Sequence, residues 1–121
     1  MDPYRVQAEL IKAMAHPARL QILEILAHEE CCVCHLTTVL RKRQAYVSQQ
    51  LMILRDAKLV VDRREGVVVY YRLADPLVAE AITLTRQLRV ATGRELEFPS
   101  VPESPVDGCP CAKCSDGLWS S

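Results

Sequence analysis

The stretch from Cys32 to Ala57, CVCHLTTVLRKRQAYVSQQLMILRDA, holds two apolar patterns of helical period separated by three basic residues. In its second half Val47, Leu51 and Leu54 recur at i, i+4 and i+7. That spacing predicts a helix from Gln44 to Ala57 with these three on one face and Ser48, Gln49 and Arg55 turned away. In its first half Leu36, Val39 and Leu40 form the inward side of a shorter helix from Cys32 to Leu40. Arg41-Lys42-Arg43 has no apolar member and makes the turn between them. Two helices joined by a short basic turn are a helix-turn-helix pattern.

Downstream, Val60 to Arg64 and Val67 to Leu73 are rich in β-branched and aromatic residues and flank Arg64-Glu65-Gly66, where glycine supplies the positive φ of a hairpin turn. This predicts a two-stranded wing. Asp75 caps a following helix with Pro76 at its first position, and Leu77, Val78, Ala81, Ile82, Thr85 and Leu88 carry an apolar stripe to about Thr92. Upstream, Val6, Leu10, Ile11 and Met14 mark a first helix that stops near His16-Pro17, since proline disfavours helical geometry in the residue before it. A second helix runs from Pro17 to about His28 and buries Leu20, Leu23 and Leu26 with Ile22 and Ile25. The expected fold is mainly α with a two-stranded β wing, a winged helix-turn-helix over residues 1–94. Residues 95–121, with Pro99, Pro102, Pro105 and Pro110, read as an irregular proline- and cysteine-rich tail.

The composition agrees with one core: 121 residues, 50% hydrophobic and 25% charged. Its longest apolar runs fall far short of the ~20 residues that cross a bilayer, and Met1-Asp2-Pro3 opens no signal peptide, so a cytoplasmic protein without a membrane is expected. Net charge is zero, yet between Arg41 and Arg72 basic residues far outnumber acidic ones, while the reverse holds from Glu95 onward. Such a split suits a segment facing phosphate beside an acidic tail. An enzyme is not expected: there is no phosphate-binding glycine loop or paired-carboxylate constellation, and Cys109-Pro110-Cys111 lacks the strand-helix-strand scaffold of a thiol oxidoreductase.

Three stretches, Ala13 to Leu23, Glu30 to Leu36 and Gln44 to Leu51, resemble the ArsR/SmtB family of metal-sensing repressors. The resemblance spans about residues 5 to 92. It implies a homodimer paired through the first and last helices, which binds operator DNA until an inducer lowers its affinity. The chain departs from the family at several positions. Arg43 stands at the usual small polar cap of the recognition helix, and Lys58 replaces a glycine common before the wing. The histidine-rich zinc site of the last helix, beginning Asp-x-His, is absent, because here the chain has Asp75-Pro76-Leu77 and no histidine after His35.

For DNA, the family places its base-reading residues on the helix that begins at Gln44. Gln44, Ser48 and Gln49 have the side chains for base edges in the major groove, and Arg43 and Tyr46 lie beside them. Arg63 and Arg64, expected at the hairpin tip, are the candidate wing contacts to phosphate. Two-fold symmetry then predicts an operator that is an imperfect inverted repeat.

The six cysteines form two clusters, Cys31, Cys32, Cys34 and Cys109, Cys111, Cys114, whose tight spacing favours metal or redox chemistry over scaffold disulfides. Cys32-Val33-Cys34 corresponds to the Cys-x-Cys of family members that bind thiophilic ions on the third helix. The implied inducers are arsenite or antimonite first, with cadmium or lead as alternatives. On an ideal helix the two side chains point about 200° apart, so gripping one ion is expected to distort the first turn. Arsenic-type members often carry a third cysteine where Thr37 stands, so the further thiolate must be Cys31 or one of the tail cysteines. The competing reading is a redox or persulfide switch with Cys32 or Cys34 as the attacking thiolate. His35, where the family usually has Asp, reads as a helix-start residue rather than a ligand.

Overall fold

The structure, a computed structural model, describes residues 1–102. It contains α1 (Pro3–Met14), α2 (Pro17–His28), β1 (Cys31–Cys32), α3 (Val33–Leu40), α4 (Gln44–Asp56), β2 (Val60–Glu65), β3 (Val68–Leu73) and α5 (Leu77–Ala91). Proline opens both of the first two helices, where its missing N–H costs nothing. Each also has a side-chain cap: Asp2 accepts the Tyr4 N–H at 3.0 Å, and His16 Nδ1 accepts that of Ala18 at 3.1 Å. Asp75 Oδ1 likewise accepts the Leu77 N–H at 2.8 Å at the start of α5.

The core lies where α2, α3 and α4 meet, with Ile22, Leu23, Leu36, Val47, Leu51 and Leu54 all fully buried. The outer helices are less covered. Val6, Leu10 and Ile11 on α1 and Leu77, Leu84 and Leu88 on α5 remain exposed, and α1 buries only Ala13. Leu20, expected in the core, lies outside it, because Ala18, Ile22, Ile25 and Leu26 form the inner face of α2.

Two sequence expectations change here. The wing is the antiparallel pair β2–β3, but the sheet has a third strand, in the order β1-β3-β2, because Cys31 and Cys32 pair with Tyr71 and Tyr70. Consequently α3 begins at Val33. Cys32 is its extended N-cap, and cysteine's poor helix propensity offers little resistance to that pairing. The hairpin turn also falls later than expected, at Gly66 (φ 62°) and Val67, since β2 continues through Glu65.

Among the described residues, two non-glycine residues take the left-handed conformation: Arg41 (φ 56°), which ends α3, and Lys58 (φ 63°), which turns the chain from α4 into β2. A side chain in this region costs about 1 kcal/mol. Lys58→Gly is therefore expected to raise unfolding stability by roughly 0.5–1 kcal/mol, seen as a higher urea midpoint at unchanged slope. A lowered midpoint would contradict the strain assignment.

Helix α5 is fastened to α2 by Arg86, which donates to both Glu24 carboxylate oxygens at 2.9 and 2.7 Å. That hydrogen bonding holds the Glu24 carboxyl below the usual carboxylate range. The same guanidinium lies 3.7 Å from the Phe98 ring centroid, so the irregular segment after α5 folds back onto the helix pair. Among the described residues no helix is long and apolar enough to cross a membrane.

Candidate DNA interface and sulfur site

Helix α4 is set into the core by Val47, Leu51 and Leu54 and presents its other side outward. Arg43 precedes it as an N-cap that makes no side-chain capping bond and, like Gln44 and Gln49, is exposed; Tyr46 and Ser48 are half-buried. Gln50, one residue from Gln49, has the opposite role. It is buried, and its Oε1 accepts from Arg19 Nη1 at 2.9 Å, while Arg19 Nε donates to the Ala13 carbonyl at 2.6 Å. One arginine thus joins the end of α1 and the body of α2 to the recognition-type helix.

The two wing arginines separate. Arg63 is not at the hairpin tip: it pairs with Tyr70 within the sheet, and its guanidinium donates to the Glu30 carboxylate at 2.6 and 2.9 Å and to Glu65 at 2.7 Å. It also lies 4.7 Å from the Tyr70 ring centroid. The hydrogen bonds to Glu30 and then Glu65 push its pKa above the ordinary guanidinium value. Strand alternation sends the exposed Arg64 to the other face, the one on which Asp62 meets Arg55 of α4 at 3.5 Å. Sequence reasoning passed over Glu30, whose role depends on a strand too short to show periodicity.

Cys32 and Cys34 come together, their Sγ atoms 2.7 Å apart. The expected 200° divergence does not arise, because Cys32 lies in the strand and only Cys34 lies in the helix. Cys32 Sγ also accepts the His35 N–H at 3.4 Å, and Cys32 packs with Tyr70, Cys34 and Val68. Two adjacent sulfurs are a donor set fit for a soft ion. Thr37, at the position of the family's third cysteine, turns its hydroxyl to the Cys34 carbonyl at 2.8 Å.

Cys31 does not join this pair. As the neighbour of Cys32 in an extended segment it faces the other way, into the main core, with its Sγ 3.3 Å from the Glu29 carbonyl oxygen. There it meets the side chains of Glu29 and His35. The sequence signal for this grouping was the spacing of four between Cys31 and His35, which the helix-start reading of His35 passed over. Cys109, Cys111 and Cys114 lie outside the described residues.

Residues 16–61 match the family described as bacterial regulatory protein, arsR family. Over 75 residues the chain is 44% identical to a protein of Synechocystis named transcriptional repressor SmtB homolog, covering 62% of this chain and 57% of that protein. It is 39% identical over 74 residues to the arsenical resistance operon repressor of Escherichia coli, covering 60% of this chain and 63% of that one. The chain therefore spans about three fifths of the length of these two relatives. Among solved structures, the homodimeric winged helix-turn-helix DNA-binding domain Mb0332 of Mycobacterium bovis superposes with a TM-score of 0.69 at 31% identity, over 80% of this chain and 90% of that one. These similar proteins are described as regulators or DNA-binding domains, not enzymes.

Proposed function

Because the chain belongs to the ArsR family of bacterial regulatory proteins, we propose that it is a cytoplasmic, homodimeric transcriptional repressor that leaves its operator when a thiophilic ion, arsenite or antimonite, is held by Cys32 and Cys34. The observation that carries this reading is the convergence of the two sulfurs, 2.7 Å apart, at the start of the helix that leads into α4. Such an ion bonds thiolate sulfur in preference to oxygen or nitrogen. A tail cysteine, Cys109, Cys111 or Cys114, supplies the further thiolate. The exposed apolar stripes of α1 and α5 are the surfaces that a second copy covers.

The route to DNA lies in the sulfur's second role. Cys32 Sγ caps α3 by accepting the His35 N–H and packs against Tyr70 of the wing. Bonding an ion fixes the direction of the Cys32 sulfur relative to the His35 N–H, so the first turn of α3 and the β1–β3 pairing adjust to it. Both α3 and the wing bear on α4, directly or through β2, so the two base-reading helices of the dimer lose their common spacing. Arg63 ties the same segment to the wing through Glu30.

On the DNA side, Gln44, Ser48 and Gln49 read bases, Arg43 and Tyr46 flank them, and Arg64 holds phosphate. Arg64→Ala is expected to weaken binding to specific and random sequences alike and to reduce the salt slope by about one. Arg63→Ala changes the slope less, because Glu30 and Glu65 already occupy its guanidinium. Equal slopes for both variants would overturn this division of roles.

A second reading, release by thiol oxidation, is favoured by the same short sulfur separation, since two neighbouring thiols are placed to react together. A gel-shift on the promoter of its own gene, titrated with arsenite, antimonite, cadmium, lead and zinc and repeated with oxidant, distinguishes the two. Release at low arsenite or antimonite supports the proposal. Release by oxidant alone transfers the function to the redox reading, and release by none of them contradicts both.

A further inference from the structure

We propose that Glu29, Cys31 and His35 form a second ion site, separate from the sulfur pair, which takes one borderline divalent cation such as zinc(II) through a carboxylate oxygen, a thiolate sulfur and an imidazole nitrogen. The three ligand atoms lie within 4.8 Å of one another, close enough to share a single ion. They come from three elements that meet here: Glu29 follows the last residue of α2, Cys31 lies in β1, and His35 is in the first turn of α3. Cys31 and His35 are almost completely buried, while Glu29 is partly exposed and forms the side open to solvent.

The chemistry differs from that of Cys32 and Cys34. Mixed nitrogen, sulfur and oxygen donors suit zinc, whereas a purely sulfur set suits arsenite. One carboxylate and one thiolate also balance the charge of a divalent ion, which matters beside an apolar core. Binding there replaces the proton on the Cys31 thiol, so one proton leaves for solvent as the ion enters. The strand keeps the two sites apart, with Cys31 in the main core and Cys32 beside Tyr70. An ion held by these residues joins the end of α2 to the start of α3 and stabilises the folded chain in proportion to its occupancy.

The test uses the full-length chain with Cys32, Cys34, Cys109, Cys111 and Cys114 replaced by serine, so that Cys31 is its sole thiol. Serine at position 32 preserves a helix cap. Titration with cobalt(II) under reducing conditions is expected to give one equivalent per chain, with a sulfur-to-cobalt charge-transfer band of single-thiolate intensity. Zinc(II) is expected to displace the cobalt and raise Tm. In that background Cys31→Ala and His35→Gln should each lose more affinity than the roughly 10- to 100-fold typical of removing an outer-shell partner. Glu29→Gln, at the exposed edge, provides a variant whose folding is not in question. Absence of the charge-transfer band, or cobalt affinity unchanged by all three substitutions, overturns the site. Because the sulfur pair is missing from this background, either result leaves the arsenite reading untouched.

Discussion

Cys32→Ser and Cys34→Ser are each expected to bind operator DNA as tightly as the native chain and to remain bound at arsenite concentrations that release it. The expectation rests on where the sulfurs are. Cys32 is 2% exposed and caps α3, and serine is a good capping residue of nearly the same size, so the DNA-binding fold survives the change. What is lost is the second soft donor, and with it the difference in stability between ion-bound and ion-free forms that drives release. Fluorescence anisotropy of a labelled operator during an arsenite titration reads the result. Truncation before Cys109 extends the test: a higher arsenite requirement is expected with dimerisation intact. A truncated chain that responds at the native concentration would remove the tail from the site.

Gln49→Ala is expected to weaken specific binding by about 1–3 kcal/mol while leaving affinity for random DNA nearly unchanged. Its neighbour provides the control. Gln50 is buried and bonded to Arg19, so truncating it leaves a polar group without its partner and lowers stability rather than selectivity. Competition assays with specific and random duplexes, beside urea unfolding of both variants, separate the two effects. Equal loss on random DNA for Gln49→Ala would refute base reading at that position.

The helices were legible because their apolar residues repeat with helical period: Val47, Leu51 and Leu54 are all fully buried, as their spacing predicts. The hairpin was legible from β-branched runs around Gly66. What escaped was the two-residue strand at Cys31–Cys32, too short for any alternation to register, and three site features followed from it. It brings the two sulfurs together where a regular helix would part them, turns Cys31 toward Glu29 and His35, and sets Glu30 beside Arg63. Leu20 and the stripe on α1 were legible as apolar but not as exposed, because hydrophobic period identifies a face without saying what covers it.

The most direct measurement of the central claim is the arsenite affinity of the native dimer with and without saturating operator DNA. Binding free energies are reciprocal, so the factor by which arsenite weakens operator binding must equal the factor by which operator weakens arsenite binding. Arsenite is expected to bind more tightly without DNA, by that same factor, and the difference is expected to be lost in Cys32→Ser. Identical arsenite affinities in the presence and absence of operator would show that the sulfur pair and the DNA-reading helix are uncoupled, and would contradict the account.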